Sequence, residues 1–220
     1  MKVRDRMSEN VIAVGMDTNI NEAFSLMKEN NIRRLPIVEK GKVTGIITLS
    51  DLNQAAPSSA TTLSIHELNY LLAKTKIKDV VFKKQKLITI EPNNYIETAA
   101  KVMRKYRISG LPVVENNQLV GIVTETDIFD AFIDILGVKK THSRIDFYTA
   151  DRPGTLATIT GIVAAKDKNI INTVVYFDEK KGKYKMILRL EELECEDVIL
   201  ELKKGGYEVE SVIVSPEDNM

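Results

Sequence analysis

Of 220 residues only one is a cysteine, Cys195, which excludes an internal disulfide and leads us to expect a reducing compartment. It lies in the acidic stretch ELECED, where carboxylates raise a thiol pKa and discourage nucleophilic use. Histidine is almost as scarce. His66 and His142 stand apart, with no Cys or carboxylate at ligand spacing, so both are expected on the surface and no metal site is expected. Net charge is missing as well, since 31 basic residues balance 31 acidic ones. Lysines gather over 74–86 and 180–185, but carboxylates surround them, so no nucleic-acid partner is expected. No apolar run approaches the roughly 20 residues of a membrane helix. The start, MKVRDRMSEN, lacks an apolar signal core, and the sequence predicts a cytoplasmic protein. Neither G-x-x-x-x-G-K-[ST] nor G-x-G-x-x-G occurs, which removes support for NTPase and dinucleotide-redox readings. With no nucleophile beside a base and no acid–base pair, no catalytic residue and no enzyme activity are expected.

What is present is a repetition. Around Pro36 the chain reads IRRLPIVEKGKVTGIITLSDL, and around Pro112 it reads ISGLPVVENNQLVGIVTETDI. Met27, Ile32, Pro36, Gly45, Thr48 and Asp51 recur 76 positions later as Met103, Ile108, Pro112, Gly121, Thr124 and Asp127. One spacing throughout means one supersecondary unit built twice. Two such copies are expected to pack face to face, with a small-ligand cleft between them.

Periodicity divides the chain into a first repeat over 1–56, a connector over 57–76, a second repeat over 77–138 and a different unit over 143–216. Each repeat reads as β-α-β-β-α. In the first, 11–14 is a strand, 20–30 a helix with Ala23, Phe24 and Met27 on one face, and 35–38 and 43–48 are strands joined at Lys40-Gly41. Asn94 with Glu97 predicts a capping box opening the helix of the second repeat. The connector starts loosely as QAAPSSATT, but Ser64 and Glu67 predict another capping box ahead of a packing helix. The last unit reads βαββαβ, with DEKKGK as a hairpin and Gly205-Gly206 ending the second helix. That order is a ferredoxin-like sandwich, so the fold class expected for the chain is α/β with an α+β final unit.

The duplicated L-P-h-V strand followed by G-h-h-T-x-x-D resembles a pair of cystathionine-β-synthase-type (CBS) domains, the tandem called a Bateman module. The βαββαβ unit, with DRPGTL at its first turn, resembles an ACT domain. The order CBS, CBS, ACT, with the connector SSATTLSIHELNYLLAKTKIKDV, is similar to that of the AcuB family of acetoin-utilisation proteins.

The resemblance implies an adenosyl ligand: AMP, ADP, ATP, S-adenosylmethionine or a dinucleotide, with no cofactor beyond it. Asp51 and Asp127 then accept from ribose hydroxyls. Thr48, Ser50, Thr124 and Thr126 offer hydroxyls at helix N-termini suited to phosphate. Ile12 and Ile88 match the position that packs on adenine, and Arg33 and Arg34 the basic pair that meets phosphate. Ser109 and Gly110 replace those arginines in the second repeat, so the two sites cannot be equivalent; Arg104, Lys105 and Arg107 lie nearby but off the motif. A Thr-x-x-Asp at a strand-to-helix junction is also an N-cap worth about 1 kcal/mol, and one carboxylate can serve both ends. For the last unit the resemblance implies an amino-acid effector at Asp151, Arg152 and Gly154, at a dimer interface. Asn169 stands where glycine is usual and tolerates a left-handed backbone, but Ile171 replaces the usual Asn, which points as well to a dimerising or structural role. The expectation is a homodimeric regulatory sensor acting on a partner enzyme, in acetoin- or acetate-related metabolism. The rival is a non-enzymatic interaction module.

Overall fold

A computed structural model describes residues 1–56, 64–81, 87–139 and 141–215. The chain forms two compact units, Met1–Ala131 and Phe132–Met220. The loose start of the connector and part of the lysine-rich 74–86 stretch lie outside the described residues.

In the first unit, helix α1 (Ile20–Glu29) precedes the hairpin β1 (Arg34–Glu39) and β2 (Lys42–Thr48), which leads into α2 (Leu49–Ala55). The copy is α5 (Ile96–Tyr106), β3 (Gly110–Glu115), β4 (Gln118–Thr124) and α6 (Glu125–Leu136), of which the residues from Phe132 on belong to the second unit. Both hairpins turn through two left-handed residues, Lys40-Gly41 and Asn116-Asn117. This is the tight geometry that a twisted antiparallel pair favours. The core is doubled as well. Val14, Ile20, Ala23, Met27, Leu35, Ile37, Ile47 and Leu52 are buried, and so are Ile90, Ile96, Ala99, Met103, Leu111, Val113, Val123 and Ile128, each 76 positions on. The strand expected over 11–14 shrinks to one parallel bridge, Val14 to Ile37, mirrored by Ile90 to Val113.

The segment ahead of each repeat is exchanged. A 3₁₀ turn at Val3–Asp5 bonds to the second repeat, with Val3 N–H donating to Asn94 O (2.8 Å) and Arg4 N–H to Pro92 O (3.0 Å). The short helix α4 (Ile77–Val80) bonds to the first in the same way, with Ile77 N–H on Thr18 O (2.9 Å) and Lys78 N–H on Met16 O (3.0 Å). Ile77 is fully buried within the core of the first repeat, and Val3 is fully buried. Between these elements, α3 (Ile65–Lys74) lies against α1 and opens on the expected box: Ser64 N–H donates to Glu67 Oε2 (2.8 Å), and Glu67 N–H to Ser64 Oγ (3.3 Å). The box expected at Asn94 does not form. Tyr95 is the N-cap of α5, and Asn94 Oδ1 accepts from Glu91 N–H (3.2 Å), closing the preceding turn.

Ser8 and Ile122 exchange both backbone hydrogen bonds (2.9 and 3.0 Å), laying the N-terminal segment against β4. Gly121 allows this close approach, because a Cβ there would stand 2.6 Å from Met7 Sδ and 3.1 Å from Ser8 O. Gly121→Val is expected to lower stability by about 1–3 kcal/mol through overpacking. Denaturant midpoints within experimental error of wild type would remove this account.

The second unit contains β5 (His142–Thr149), α7 (Thr155–Ala164), β6 (Ile170–Asp178), β7 (Lys183–Leu190), α8 (Glu196–Lys204) and β8 (Glu208–Ser215). The antiparallel sheet runs β6-β7-β5-β8, the ferredoxin-like order. Ile145, Phe147, Met186 and Leu188 bury one face against Ile159, Val163, Val198 and Leu202 of the helices. Gly206, at φ 81°, follows α8 and stops it. One surface expectation fails here, since His142 is buried in β5; Cys195 is buried too, at 1% exposed. Burial, ahead of the flanking Glu196 and Asp197, pushes the Cys195 thiol above its ordinary pKa. The side chain of His66 lies outside the described residues. The left-handed residue expected at Asn169 is instead Asp167, at φ 53°, while Asn169 ties to Glu191 and Glu192.

The other face of this sheet carries a polar cluster. Arg144 pairs with Asp146 through two hydrogen bonds (2.6 and 2.8 Å), and Tyr148 donates to Glu210 or Asp178 (3.1 and 3.0 Å). Hydrogen bonds from Lys185 and then Lys181 lower the Glu210 pKa from 4.5 to about 2. A depressed carboxyl pKa contributes stability above the unfolded value and loses it as pH falls through the folded one. The melting temperature of this unit should therefore drop between pH 4.5 and about 2, and Glu210→Gln should flatten that part of the curve. Parallel wild-type and variant curves in calorimetry would contradict this.

Candidate functional site

Two clefts lie between the repeats of the first unit, one of about 740 Å³ and one of about 630 Å³. Each is built across the repeats. The first is walled by Ile12, Arg33 and Arg34 from repeat one, and by Thr124, Thr126 and Asp127 from repeat two. The second reverses this arrangement, with Thr48, Ser50 and Asp51 from repeat one facing Ile88 and Ile108 from repeat two. The ten residues expected for a ligand site thus all line one cleft or the other, and Arg34 lines both. The shortened first strand matters here: Val11 and Ile12, outside any ladder, form cleft wall instead.

The first acid–hydroxyl junction is a capping box as well, and the second repeats the carboxylate half of it. Asp51 Oδ2 accepts from the Thr48 N–H (2.8 Å) and hydroxyl (2.6 Å), and Asp51 N–H donates back to Thr48 Oγ1 (3.3 Å). Asp127 Oδ2 accepts from Thr124 N–H (2.6 Å) and its hydroxyl (2.7 Å). In each case one carboxylate oxygen locks the junction. The side chain is thereby oriented, and a carboxylate has acceptor capacity on both oxygens.

The basic groups are distributed less simply than the motif suggested. Cleft one carries Arg33 and Arg34 opposite Glu125, while cleft two carries Arg34, Arg107 and Lys78. Burial holds the Arg34 guanidinium below its ordinary pKa, Glu125 works the other way, and Arg33 adds to the lowering. The Lys78 ammonium donates to Asp17 (2.7 Å), and this bond raises its pKa. Motif reading missed Lys78, Glu125 and Met16 as cleft residues and left Arg107 off the site. Arg107 is the counterpart of Asn31 76 positions earlier, and both adopt left-handed backbone after a helix (φ 54° and 51°). That shared helix end is the signal that could have placed it.

Residues 3–58 and 77–134 match the CBS domain family. The chain belongs to that family. A CBS domain-containing protein of Dictyostelium discoideum is 33% identical over 136 residues, spanning 61% of this chain and 92% of that protein. The CBS domain pair of protein MJ0100, solved in complex with 5′-methylthioadenosine and S-adenosyl-L-methionine, is 32% identical with a TM-score of 0.50. It covers 64% of this chain and 98% of that structure. A Vibrio cholerae structure described as an acetoin utilization protein, AcuB, is 29% identical with a TM-score of 0.51 over 63% of this chain and 94% of its own. These likenesses are to CBS pairs and reach at most 64% of the chain.

In the second unit, Asp151, Arg152 and Gly154 sit exposed on the turn before α7, with Gly154 at φ 88° as its N-cap. Among the described residues no group of His, Cys, Asp and Glu could hold a metal ion, and no helix is long and apolar enough to cross a membrane.

Proposed function

We propose that the CBS pair is a regulatory sensor of an adenosyl ligand carrying phosphate or a comparable group, such as AMP, ADP or ATP. The observation that carries this reading is the crossed construction of each cleft. An apolar isoleucine from one repeat faces a Thr-x-x-Asp junction from the other, with guanidinium groups beside them. An aromatic base, a ribose and an anion need an apolar wall, a carboxylate acceptor and a fork of donors, in that order. The MJ0100 pair, which holds two adenosyl compounds, supports it. A ligand bound across the repeats favours one relative arrangement of them and so can change a surface read by a partner enzyme.

The test is a melting screen with AMP, ADP, ATP, S-adenosylmethionine and NAD. A ligand at a hundred times its dissociation constant adds about 2.7 kcal/mol, or on the order of 5–10 °C for a chain of this size. No shift with any of them would overturn the reading.

The second unit fits an ACT domain in its βαββαβ order and in the turn at Asp151, Arg152 and Gly154, which would meet an amino-acid effector. A dimerising role has its own support: Val212, Ile213 and Val214 are exposed along the edge strand β8. A homodimer, a regulated enzyme in acetoin- or acetate-related metabolism and a cytoplasmic location complete the proposal.

A further inference from the structure

The two clefts share one wall. Arg34 and Ser109 line both, and the Arg34 guanidinium donates through Nη2 to Ser109 Oγ. Residues 34 and 110 are counterparts in the repeats, yet one is arginine and the other glycine. The packing explains the inequality. The Arg34 stem lies across Gly110, where a Cβ would stand 3.0 Å from Arg34 Cδ and 3.2 Å from Nε. Two arginines at these positions would compete for one space and repel, so the repeat has kept one cation where symmetry would have set two.

We propose that Arg34 couples the clefts: a phosphate-bearing ligand in one weakens the binding of a second in the other. This rests on the adenosyl-ligand reading above. The guanidinium carries one charge, and its stem is held between the clefts. A phosphate arriving from either side takes its donors from Ser109 and neutralises that charge. A second phosphate then meets a cation already paired, and a first anion whose repulsion is weakly screened in a half-buried wall. Each cleft keeps other basic groups, Arg33 in the first and Arg107 with Lys78 in the second, so the second ligand is weakened and not excluded. An adenosyl compound without phosphate makes no claim on Arg34, and two such molecules should bind independently.

Calorimetric titration of the full chain with AMP and with adenosine tests this. Asp51→Ala and Asp127→Ala each weaken one cleft, so the tight phase of each variant's titration gives the other cleft's own affinity. In wild type, the second AMP should bind roughly tenfold or more weakly than the same cleft does alone, within the usual range of site-to-site coupling. Adenosine should show no such penalty. Arg34→Gln should abolish the AMP penalty, and Arg34→Lys, which keeps the charge, should retain part of it. A second AMP that binds as tightly as in the isolated cleft would overturn the coupling alone, as would a penalty that survives in Arg34→Gln. Absence of binding by every adenosyl compound, in wild type and variants alike, would overturn the ligand reading and the coupling with it.

Discussion

Ile77→Ala is expected to destabilise the CBS pair by about 2–5 kcal/mol, the range for truncating a buried isoleucine to leave a cavity. The side chain is fully buried among first-repeat residues although it lies far along the chain, beyond α3. Its damage should therefore surface at a distance in sequence. Amide exchange should accelerate at Ile20, whose N–H is tied to Thr75 O (2.9 Å), and across the β1–β2 hairpin. The same change in an isolated local turn would be felt only near residue 77. A loss well below 2 kcal/mol, or faster exchange confined to 64–81, would show that the exchanged segment is not part of that core.

Asp127→Ala should have two separable effects. Loss of the Asp127 carboxylate removes the acceptor for Thr124 N–H and its hydroxyl at the start of α6 and costs about 1 kcal/mol in the unliganded protein. Loss of the acceptor for ribose hydroxyls should weaken AMP at cleft one by roughly ten- to a hundredfold, since hydrogen bonds to a charged group contribute about 1.5–3 kcal/mol. Asp51→Ala should do the same at cleft two. Asp127→Asn separates the two effects, because an amide oxygen can still accept at the cap but carries no charge for the sugar. Unchanged AMP affinity in both alanine variants, with the expected drop in stability, would leave these residues as caps alone.

Much of the fold can be read from particular residues. Apolar positions repeating at 76 gave one core set from the other, and the paired turns at Lys40-Gly41 and Asn116-Asn117 follow from residues that tolerate left-handed backbone. Ser64 and Glu67 announced α3 correctly because both halves of its box are local. The failures have a common origin in distance. Asn94 offered a cap, yet its side chain closed the turn behind it, in a segment whose carbonyls Pro92 O and Asn94 O accept from the incoming 3₁₀ turn. His142 looked solitary and polar, but it begins a strand at the centre of a sheet. Lys78 and Glu125 gave no motif signal, because a cleft wall is assembled from whatever the packing brings there.

From the amino-acid order alone come the duplication, the apolar registers of both units and the residue types available to hold a ligand. These follow from local sterics and from which side chains water rejects. The order cannot say which half answers which. Two repeats of one pattern offer a segment two similar docking places, its own repeat or the other. Only the folded chain settles this, by burying Ile77 in the first repeat and bonding Val3 to the second, so that each cleft takes one wall from each copy and Arg34 stands between them.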